Sequence, residues 1–566
     1  MMKNLPLVSL SLLTLLAACG SSGTTESALP QLGEAKGATI TSCTDLNTRF
    51  GFANTTIASA DTVTAGTLTV AGKAVPEHCL VKGSMFKRTG SDGGTYAIGF
   101  EMRLPKDWSG RYFYQANGGL DGSVSTAVGA FGGGPNTHAL LQGFAVISSD
   151  AGHTGAQTTA FGFEPQARLD YGYQAVAKLT PMAKELIKSA YGKLPDRSYI
   201  GGCSNGGRHT MVAASRYPEQ YDGYLAGAPG YNLPKAAVAN IWSSQQFAKI
   251  MTAGATVPNG SGTIPDLGSG FTAAERALVG KKILDKCDAL DGIADGLVQD
   301  TNACQKAFSL ATDVPTCSGA RDGSCLTAAQ KAVVSDSFAG AKTTAGSTIY
   351  SNFWFEPGIA GANWATWKFA NSIALDPLAA GTIFRAAPAF IANSLTVSID
   401  ELASGIYATS ATYPEAGMSF MTPPNPTFLG TLKLRGAKMM VYHGAADPIF
   451  SAADTLTWYD GLTANNNGDA SNHARFFRVP GMNHCSGGPT VDQFDMLTPL
   501  VNWVEKGVAP DSVVATARGA GNASGANAEV PADWLPARTR PLCAYPKVAK
   551  YSGTGDKESA ANFSCQ

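Results

Sequence analysis

The chain is organised around a glycine-rich hexapeptide, Gly202-Cys203-Ser204-Asn205-Gly206-Gly207. A short run with strand character, Ser198–Ile200, precedes it, and a segment with helical character, Arg208–Tyr217, follows it. A strand, a tight turn and a helix with serine at the turn are typical of the G-x-S-x-G nucleophile elbow, in which the serine hydroxyl stands clear beside the free N–H groups of the helix N-terminus. Glycine suits the flanking positions because the turn is strained and the strand and helix approach closely. An ordinary Gly-Ser turn is the alternative, so the interpretation depends on the rest of the chain.

The composition is that of a large folded protein. Of 566 residues, 44% are hydrophobic and 15% are charged, and the net charge is −1. A chain of this length holds several domains or one domain with a large insertion, and its apolar content disfavours disorder. Nucleic acid is excluded as a partner because the sequence has no basic stripe. The sequence makes no prediction about the oligomeric state.

The N-terminus resembles an export signal. A short polar start, Met1–Asn4, precedes an apolar run, Leu5–Ala18, that is too short to span a bilayer. The run ends in Leu16-Ala17-Ala18-Cys19-Gly20, which resembles the lipobox of bacterial lipoproteins, and this resemblance implies a lipidated Cys19. A plain signal peptide with another cleavage site is the alternative. We predict a signal peptide at 1–19, a small polar tether at 20–40, and export as an outer-membrane lipoprotein, with membrane contact through the anchor alone, or as a periplasmic or secreted protein.

The cysteines indicate an oxidising compartment. The chain has 11 cysteines, which leaves ten when Cys19 is set aside. An even count in an exported chain indicates disulfides, although the spacing does not give their connectivity. No C-x-x-C pair occurs, so the spacing is not that of a zinc site. The ten are Cys43, Cys79, Cys203, Cys287, Cys304, Cys317, Cys325, Cys485, Cys543 and Cys565.

Strands and helices alternate in the first part of the chain. Alternating or apolar runs predict strands at Thr95–Leu104, Arg111–Gln115 and Phe144–Ser148, and helical spacing predicts a helix within Tyr173–Ala190. This order argues for an α/β protein with a mostly parallel sheet. The second strand runs into a glycine-rich loop, Ala116–Gly122, which is where an α/β-hydrolase places its second oxyanion donor. A flexible glycine loop is the alternative.

The pattern changes after Tyr231. The chain becomes rich in Gly, Ala, Thr and Trp without clean strand–helix alternation, and strands resume near Leu432. We predict an α/β-hydrolase fold with a large lid domain inserted between the nucleophile and the acid and base. In this reading 41–230 and 426–566 form the catalytic domain, and 231–425 form the lid.

Candidates for the acid and the base follow the last two predicted strands. The strand Lys438–His443 leads to Asp447, and the strand Ala474–Pro480 leads to His484. Serine, aspartate and histidine in this chain order, each in a loop after a strand, are typical of the α/β-hydrolase fold.

These positions predict a catalytic triad. A serine nucleophile needs a base, and the base needs an orienting carboxylate, so Ser204, His484 and Asp447 are assigned these roles. The backbone N–H groups of Asn205 and Gly118 are predicted to form the oxyanion hole. Cys203 and Cys485 flank the nucleophile and the base, so a disulfide between them is feasible if the serine and histidine are within hydrogen-bond reach; pairing elsewhere is the alternative.

Other histidines have ordinary interpretations. His209 lies on the helix after the elbow and is predicted to be packed. His153 follows a strand end and is predicted to be a structural or pocket residue. His443 closes a strand and is predicted to be a buried hydrogen-bonding group.

The chain resembles the tannase and feruloyl esterase family. The elbow hexapeptide, the Asp447 loop and Gly481-Met482-Asn483-His484-Cys485-Ser486-Gly487-Gly488 carry the resemblance, and the C-terminal segments Phe494–Val501 and Ala537–Cys543 also match. It covers essentially the whole mature chain and is weakest in the lid. The resemblance implies an esterase with five disulfides, Cys203–Cys485, Cys43–Cys79, Cys287–Cys304, Cys317–Cys325 and Cys543–Cys565.

An acidic loop in the lid is a candidate metal site. Asp288, Asp291 and Asp295 lie on a tight glycine-containing loop, and three carboxylates so placed suit calcium, although the spacing is not that of an EF-hand. A solvated acidic turn is the alternative. The resemblance implies a structural lid calcium held by these three side chains and by the backbone carbonyl groups of Ile293 and Leu297.

The substrate pocket is where the chain departs from the family. A family member that binds a substrate carboxylate does so with a lid arginine after a tryptophan pair, and no arginine here falls at the matching position. Lys368 and Arg385 are nearby basic candidates, with ordinary surface charge as the alternative. Trp367 and Phe384 are candidates for an aromatic wall against a benzoyl-type ring, with lid core as the alternative.

We therefore predict a serine carboxylic ester hydrolase that cleaves esters of aromatic carboxylic acids through an acyl-enzyme. The resemblance implies feruloyl, galloyl or terephthaloyl monoesters as substrates. An esterase for aliphatic hydroxyacid oligomers is the second hypothesis, which a pocket without aromatic walls would favour. A non-catalytic binding lipoprotein on the same scaffold is the third, and the complete set of Ser204, Asp447 and His484 argues against it.

Overall fold

A nine-stranded sheet carries the fold in the structure, a computed structural model that describes residues 29–130 and 138–566. Its strands are β1 (Thr55–Val63), β2 (His78–Thr89), β3 (Thr95–Pro105), β4 (Arg111–Gln115), β5 (Ala145–Ser149), β6 (Arg197–Cys203), β7 (Gly223–Gly227), β8 (Lys438–Gly444) and β9 (Ala474–Val479). They lie side by side in the order β9-β8-β7-β6-β4-β5-β3-β2-β1. The predicted signal peptide, the lipidation candidate Cys19 and the first part of the tether lie outside the described residues.

The sheet is mixed. The neighbours from β9 through β5 pair in parallel, whereas β5 with β3, β3 with β2, and β2 with β1 pair antiparallel. The predicted strands are confirmed, and the parallel half is extended by the antiparallel N-terminal strands. The fold is an α/β-hydrolase with a lid.

Helices cover both faces of the sheet. The longer ones are α1 (Ala175–Tyr191), α2 (Asn205–Arg216), α3 (Leu233–Ala248), α4 (Ala273–Cys287), α5 (Ala328–Ala339), α6 (Ala452–Ala464) and α7 (Leu497–Lys506). On β4, Tyr112 and Tyr114 belong to the apolar cluster that contains α1, while Phe113 belongs to the cluster that contains α7. Successive strand residues therefore enter opposite layers, which is why the buried strands read as continuous apolar runs.

The chain leaves the sheet between β7 and β8. This segment holds α3, α4 and α5, a hairpin of Thr256–Asn259 and Gly262–Pro265, and many short helices. Most residues of α3 are buried, and α5 and several of the short helices pack around it. The insertion lies between the elbow and the loops of Asp447 and His484, as the sequence predicts; the boundaries at 231 and 425 stay predictions.

Short helices complete the chain. The α-helical turns are Leu46–Arg49, Pro165–Leu169, Thr301–Ala307, Leu310–Asp313, Ala362–Ala365, Ser372–Ala374, Asp376–Leu378, Ile399–Gly405, Gly417–Met421 and Gly430–Leu434. The π-helical turns are Asp170–Gln174, Thr366–Asn371 and Ala379–Ile383. A small sheet of Gln493–Phe494, Ser512–Thr516 and Thr539–Cys543 follows the last long strand.

Covalent and local contacts fasten the periphery. The five disulfides implied by the resemblance are all present. The described end of the predicted tether is attached to the body, because the Ala35 N–H donates to Glu505 at 3.0 Å and the Lys36 N–H donates to Asp196 at 2.7 Å. Within residues 29–130 and 138–566, no helix is both long and apolar enough to cross a membrane.

Candidate active site

The elbow is built by backbone packing. Ser204 stands between β6 and α2 with φ +65° and ψ −126°, a strained conformation that L-residues rarely adopt. The neighbouring glycines are required by contact, because a Cβ on Gly202 or Gly206 would lie 2.2 Å from the carbonyl oxygen of Ala116. The geometry is that of the predicted strand–turn–helix elbow.

The predicted nucleophile, base and acid form one hydrogen-bonded chain. Ser204 Oγ lies 2.8 Å from His484 Nε2, and His484 Nδ1 lies 2.7 Å from Asp447 Oδ2. The three residues follow β6, β9 and β8, and the carboxyl ends of parallel strands share one edge of the sheet. This topology brings together a serine and a histidine that are 280 positions apart in sequence.

Asp447 is a buried carboxylate with donors on both oxygens. The backbone N–H groups of Ile449 and Phe450 donate to Oδ1 at 2.9 and 3.0 Å. Oδ2 faces His484 and also lies 3.2 Å from His443 Nε2. Burial alone would raise the pKa of Asp447, but the charge of His484 and hydrogen bonds from His443 and His484 hold it well below its usual value. A carboxylate that stays ionised can orient a histidine and stabilise its cation.

A cavity of about 550 Å³ opens over Ser204 and His484, which is the size of small-molecule sites. Trp367 forms one wall, and its ring meets the imidazole of His484 edge to face with 4.5 Å between centroids. Most other described lining residues are polar, and no lysine or arginine is among them. The polar ones include Gln115, Asn117, Asp121, Ser123, Ser125, Thr126, Asn363 and Ser486.

Gly118 and Asn205 flank the serine, as two oxyanion donors must. A Cβ on Gly118 would lie 3.7 Å from Ser204 Cβ, and Asn205 is the first residue of α2, where N–H groups lack intrahelical partners. The Asn205 side chain donates to Asp121 Oδ1 at 2.6 Å and so ties the helix to the glycine-rich loop. The oxyanion role of the two N–H groups stays a prediction.

The structure brings one of the three predicted substrate contacts to the cavity. Trp367 lines the cavity, but Phe384 and Arg385 do not belong to its described lining. Phe384 is fully buried in the apolar cluster of the lid and α1, where the π-helical turn Ala379–Ile383 places it. The aromatic wall at the described cavity is therefore Trp367, without Phe384.

Lys368 is not a surface charge. Its side chain is buried, and its ammonium group lies 4.3 Å from the centroid of the Phe353 ring with no hydrogen-bond partner among the described residues. Burial lowers the pKa of Lys368 to about 8, against the opposing charges of Asp376 and Asp447. It lies outside the described cavity lining, so the basic candidate from the sequence does not reach the substrate position.

Two further contacts hold the site together, one predicted from the sequence and one not. The Cys203–Cys485 disulfide, with 6.2 Å between Cα atoms, joins the end of β6 to the His484 loop and confirms the predicted pairing. Glu529 is missed: its Oε1 accepts from the Asn363 N–H at 3.1 Å and its Oε2 accepts from the Gly488 N–H at 2.5 Å. It thereby links the cavity wall to the loop after His484, and a lone glutamate in a polar C-terminal stretch gives no sequence signal.

The histidine interpretations hold where contacts decide them. His209 is 3% exposed and lies 3.2 Å from the Asn205 amide, so it is packed. His153 is buried against Phe161, with 3.7 Å between ring centroids, and burial lowers the pKa of His153 to about 4. His443 is buried and hydrogen-bonded through both ring nitrogens.

The acidic loop offers a partial set of cation ligands. Asp291 Oδ2 is buried without a partner, and burial, reinforced by Asp295 and Asp288, raises the pKa of Asp291 to about 7. Asp288 accepts from the N–H groups of Asp295 and Gly296, and Asp295 pairs with Arg540. Within the described residues, no three or more His, Cys, Asp or Glu converge as ligands of a bound metal would. The crowded carboxylates and the unpaired oxygen fit a hard cation, whose arrival would have to draw them together.

By its fold, this protein is an α/β-hydrolase with a lid, and the serine elbow lies at the cavity. The family model described as "Tannase and feruloyl esterase" matches residues 79–566. The chain belongs to the tannase and feruloyl esterase family of carboxylic ester hydrolases.

Relatives and solved structures agree with this membership. Mono(2-hydroxyethyl) terephthalate hydrolase of Piscinibacter sakaiensis is 39% identical over an alignment of 539 positions that covers 88% of this chain and 87% of that protein. A probable feruloyl esterase B-1 of Neosartorya fischeri is 29% identical over an alignment of 496 positions that covers 82% of each chain. The crystal structure of feruloyl esterase B from Aspergillus oryzae has the same fold, with a TM-score of 0.72 at 24% identity over 92% of this chain and 98% of that one.

Proposed function

We propose that this protein is a serine esterase that hydrolyses esters of aromatic carboxylic acids through an acyl-enzyme. The observation that carries the proposal is the hydrogen-bonded chain Ser204–His484–Asp447, whose serine and histidine line a cavity together with Trp367. A protein that only binds its ligand has no need of a base and an orienting acid beside a strained serine.

The first half-reaction forms the acyl-enzyme. Ser204 Oγ attacks the ester carbonyl carbon as His484 Nε2 takes its proton. Asp447 holds the imidazole and stabilises its cation. When the tetrahedral intermediate collapses, His484 gives the proton to the leaving alcohol, and the bond between the carbonyl carbon and the alcohol oxygen breaks.

The second half-reaction regenerates the serine. His484 takes a proton from water, whose oxygen attacks the acyl carbon, and then returns that proton to Ser204 as the acid leaves. The N–H groups of Gly118 and Asn205 stabilise the oxyanion in both halves. Loss of one such donor typically costs about 3 kcal/mol of transition-state stabilisation.

The cavity lining narrows the choice of acyl group. Trp367 offers a flat apolar face next to the base, which suits an aromatic ring, and the names of the relatives point to feruloyl and terephthalate esters. A terephthaloyl monoester also brings a free carboxylate, and the described lining holds no lysine or arginine to pair with it. Hydroxylated rings of the feruloyl or galloyl type match the polar lining better.

A substrate panel tests the proposal. Methyl ferulate, methyl gallate, mono(2-hydroxyethyl) terephthalate and p-nitrophenyl butyrate are incubated with wild type and with Ser204→Ala. We expect turnover of at least one aromatic ester that disappears in the variant. Turnover of the butyrate alone would favour an esterase for aliphatic hydroxyacid esters, and no Ser204-dependent turnover would leave a non-catalytic binding protein.

Calcium and the anchor are further parts of the proposal. The unpaired Asp291 oxygen and its acidic neighbours support a structural calcium bound by Asp288, Asp291 and Asp295 with the carbonyl groups of Ile293 and Leu297. The five disulfides support export to an oxidising compartment. Lipidation at Cys19 is tested by fractionation: wild type should partition with membranes, and Cys19→Ser should not.

A further inference from the structure

His443 gives the carboxylate of Asp447 a second imidazole neighbour. His443 lies in β8, and its side chain has no exposed surface. Its Nε2 is 3.2 Å from Asp447 Oδ2 and 3.0 Å from the carbonyl oxygen of Phe450. Its Nδ1 is 2.9 Å from Thr455 Oγ1, in α6. One ring therefore joins the strand before the acid loop, the loop itself and the helix after it.

The partners decide where the proton of this ring lies. The Asp447 carboxylate and the Phe450 carbonyl group only accept hydrogen bonds, so Nε2 must carry hydrogen. The hydroxyl group of Thr455 can donate as well as accept, so Nδ1 needs no proton to make its contact. The ring is then fully satisfied as a neutral imidazole, and no further proton is needed to explain its contacts.

A neutral donor suits a carboxylate that must hold a second, charged imidazole. Under the proposed function His484 becomes a cation in each half-reaction, and a cation at His443 would oppose it across the same oxygen. A neutral N–H restrains Oδ2 without this repulsion. The Lys368 side chain is also buried nearby, and the charge of Asp447 opposes the lowering of its pKa by burial.

We propose that His443 is a positioning residue, which holds Asp447 Oδ2 toward His484 as a neutral imidazole protonated on Nε2. Its kinetic consequence rests on the proposed esterase function, whereas its protonation state rests on the geometry alone. The two parts can therefore be tested separately.

The protonation state is read by NMR of protein labelled with ¹⁵N-histidine. The signals of His443 are those that disappear in His443→Gln. We expect the ring to be neutral and protonated on Nε2 in the folded protein, under the conditions of the activity assay. A charged ring, or one protonated on Nδ1, under those conditions would overturn the proposal. This measurement needs no esterase activity, so it decides the matter even if the proposed function fails.

The positioning role is read from kinetics on an ester that wild type hydrolyses in a Ser204-dependent way. For His443→Phe we expect kcat to fall about 10- to 100-fold, because a donor to a charged group is lost, with KM changed by less than about threefold. The acid limb of the kcat/KM profile should move to higher pH, because a carboxylate with one donor fewer holds the His484 cation more strongly.

Two further variants keep the test sharp. His443→Gln can present an amide N–H near the Nε2 position and should recover most of kcat. Thr455→Val keeps the shape of its side chain but removes the donor to Nδ1, and should lower kcat less than His443→Phe. Unchanged kcat and pH profile in folded His443→Phe would contradict the role, as would equal losses in the Gln and Phe variants.

Discussion

The elbow and the lid wall meet at the same cavity, yet they are held in different ways. At the elbow, backbone packs directly against backbone, because a Cβ on Gly206 would lie 2.2 Å from the Ala116 carbonyl oxygen. In the lid, aromatic side chains pack against each other. The ring centroids of Trp367 and His484 are 4.5 Å apart, and those of Phe247 and Phe369 are 5.1 Å apart. The first arrangement leaves no room for a side chain, whereas the second accepts other apolar side chains of similar volume.

This difference separates the chemistry from the choice of substrate. Backbone contacts hold Ser204 within hydrogen-bond distance of His484. Changes of single atoms there should therefore abolish the reaction. Ring contacts shape the cavity by volume, so changes there should alter substrate preference by degrees.

The largest effect is expected for Ser204→Ala. Removal of the nucleophile should lower kcat by a factor on the order of 10⁵ or more, because the rest of the triad then has nothing to activate. Thermal stability should stay close to that of wild type, since the hydroxyl group is lost without a new clash. Residual Ser204-independent turnover within tenfold of wild type would contradict the role of the serine.

Asp447→Asn should cost less, about 10³- to 10⁴-fold in kcat, because an amide N–H facing His484 Nδ1 favours the wrong tautomer. Asp454→Asn is a matched control: Asp454 is 8% exposed and accepts from Asn232 and Tyr231 rather than from His484. We expect the control to keep kcat within about threefold of wild type. Equal losses in the two variants would mean that a buried charge near α6, and not the contact with His484, is what matters.

The elbow and the candidate acid and base could be placed from the sequence because each has a local signature. Ser204 lies in a glycine pattern, and Asp447 and His484 follow apolar strands in the chain order that parallel topology requires. The five disulfide pairings came from the family resemblance, since spacing alone left them open.

The walls of the cavity could not be predicted in this way. Phe384 looks like Trp367 in sequence, but the π-helical turn before it directs it into the core, and such a turn has no clear sequence signature. Glu529 reaches the site from a C-terminal loop more than forty positions after the His484 loop, so only tertiary packing reveals it. Long-range contacts without a motif are where sequence reasoning fails.

Trp367→Ala and Phe384→Ala test the lid half of the comparison. Trp367→Ala should lower kcat/KM for an aromatic ester about 10- to 100-fold by loss of ring contact, and should affect p-nitrophenyl butyrate much less. Phe384→Ala should leave kcat/KM of the folded protein nearly unchanged but lower the free energy of unfolding by about 3–5 kcal/mol, because it creates a cavity in the core. Both are measured by steady-state kinetics together with denaturant unfolding.

The reverse pattern would restore the original prediction for Phe384. If Phe384→Ala impaired aromatic esters selectively while its unfolding free energy stayed at the wild-type value, this ring would have to reach the substrate. The wall would then move when a substrate binds, and the described cavity would be only one of its shapes.

The smallest effect on chemistry is expected from calcium. None of the five candidate ligands is among the described cavity lining, so chelation should change kcat by less than about twofold. Stability should respond, because an ion that binds only the folded state adds about 2.7 kcal/mol at a hundred times its Kd. Chelation should therefore lower Tm, and added calcium should restore it. Asp291→Asn should remove this response, whereas Asp285→Asn, which changes an exposed carboxylate paired with Lys281 on α4, should keep it.

Leu297, one of the candidate ligands, lies near Gly481, which is three positions before His484. If chelation lowered kcat in proportion to stability, this contact would transmit the loss of calcium from the acidic loop to His484. The reaction would then depend on the lid as well as on the elbow.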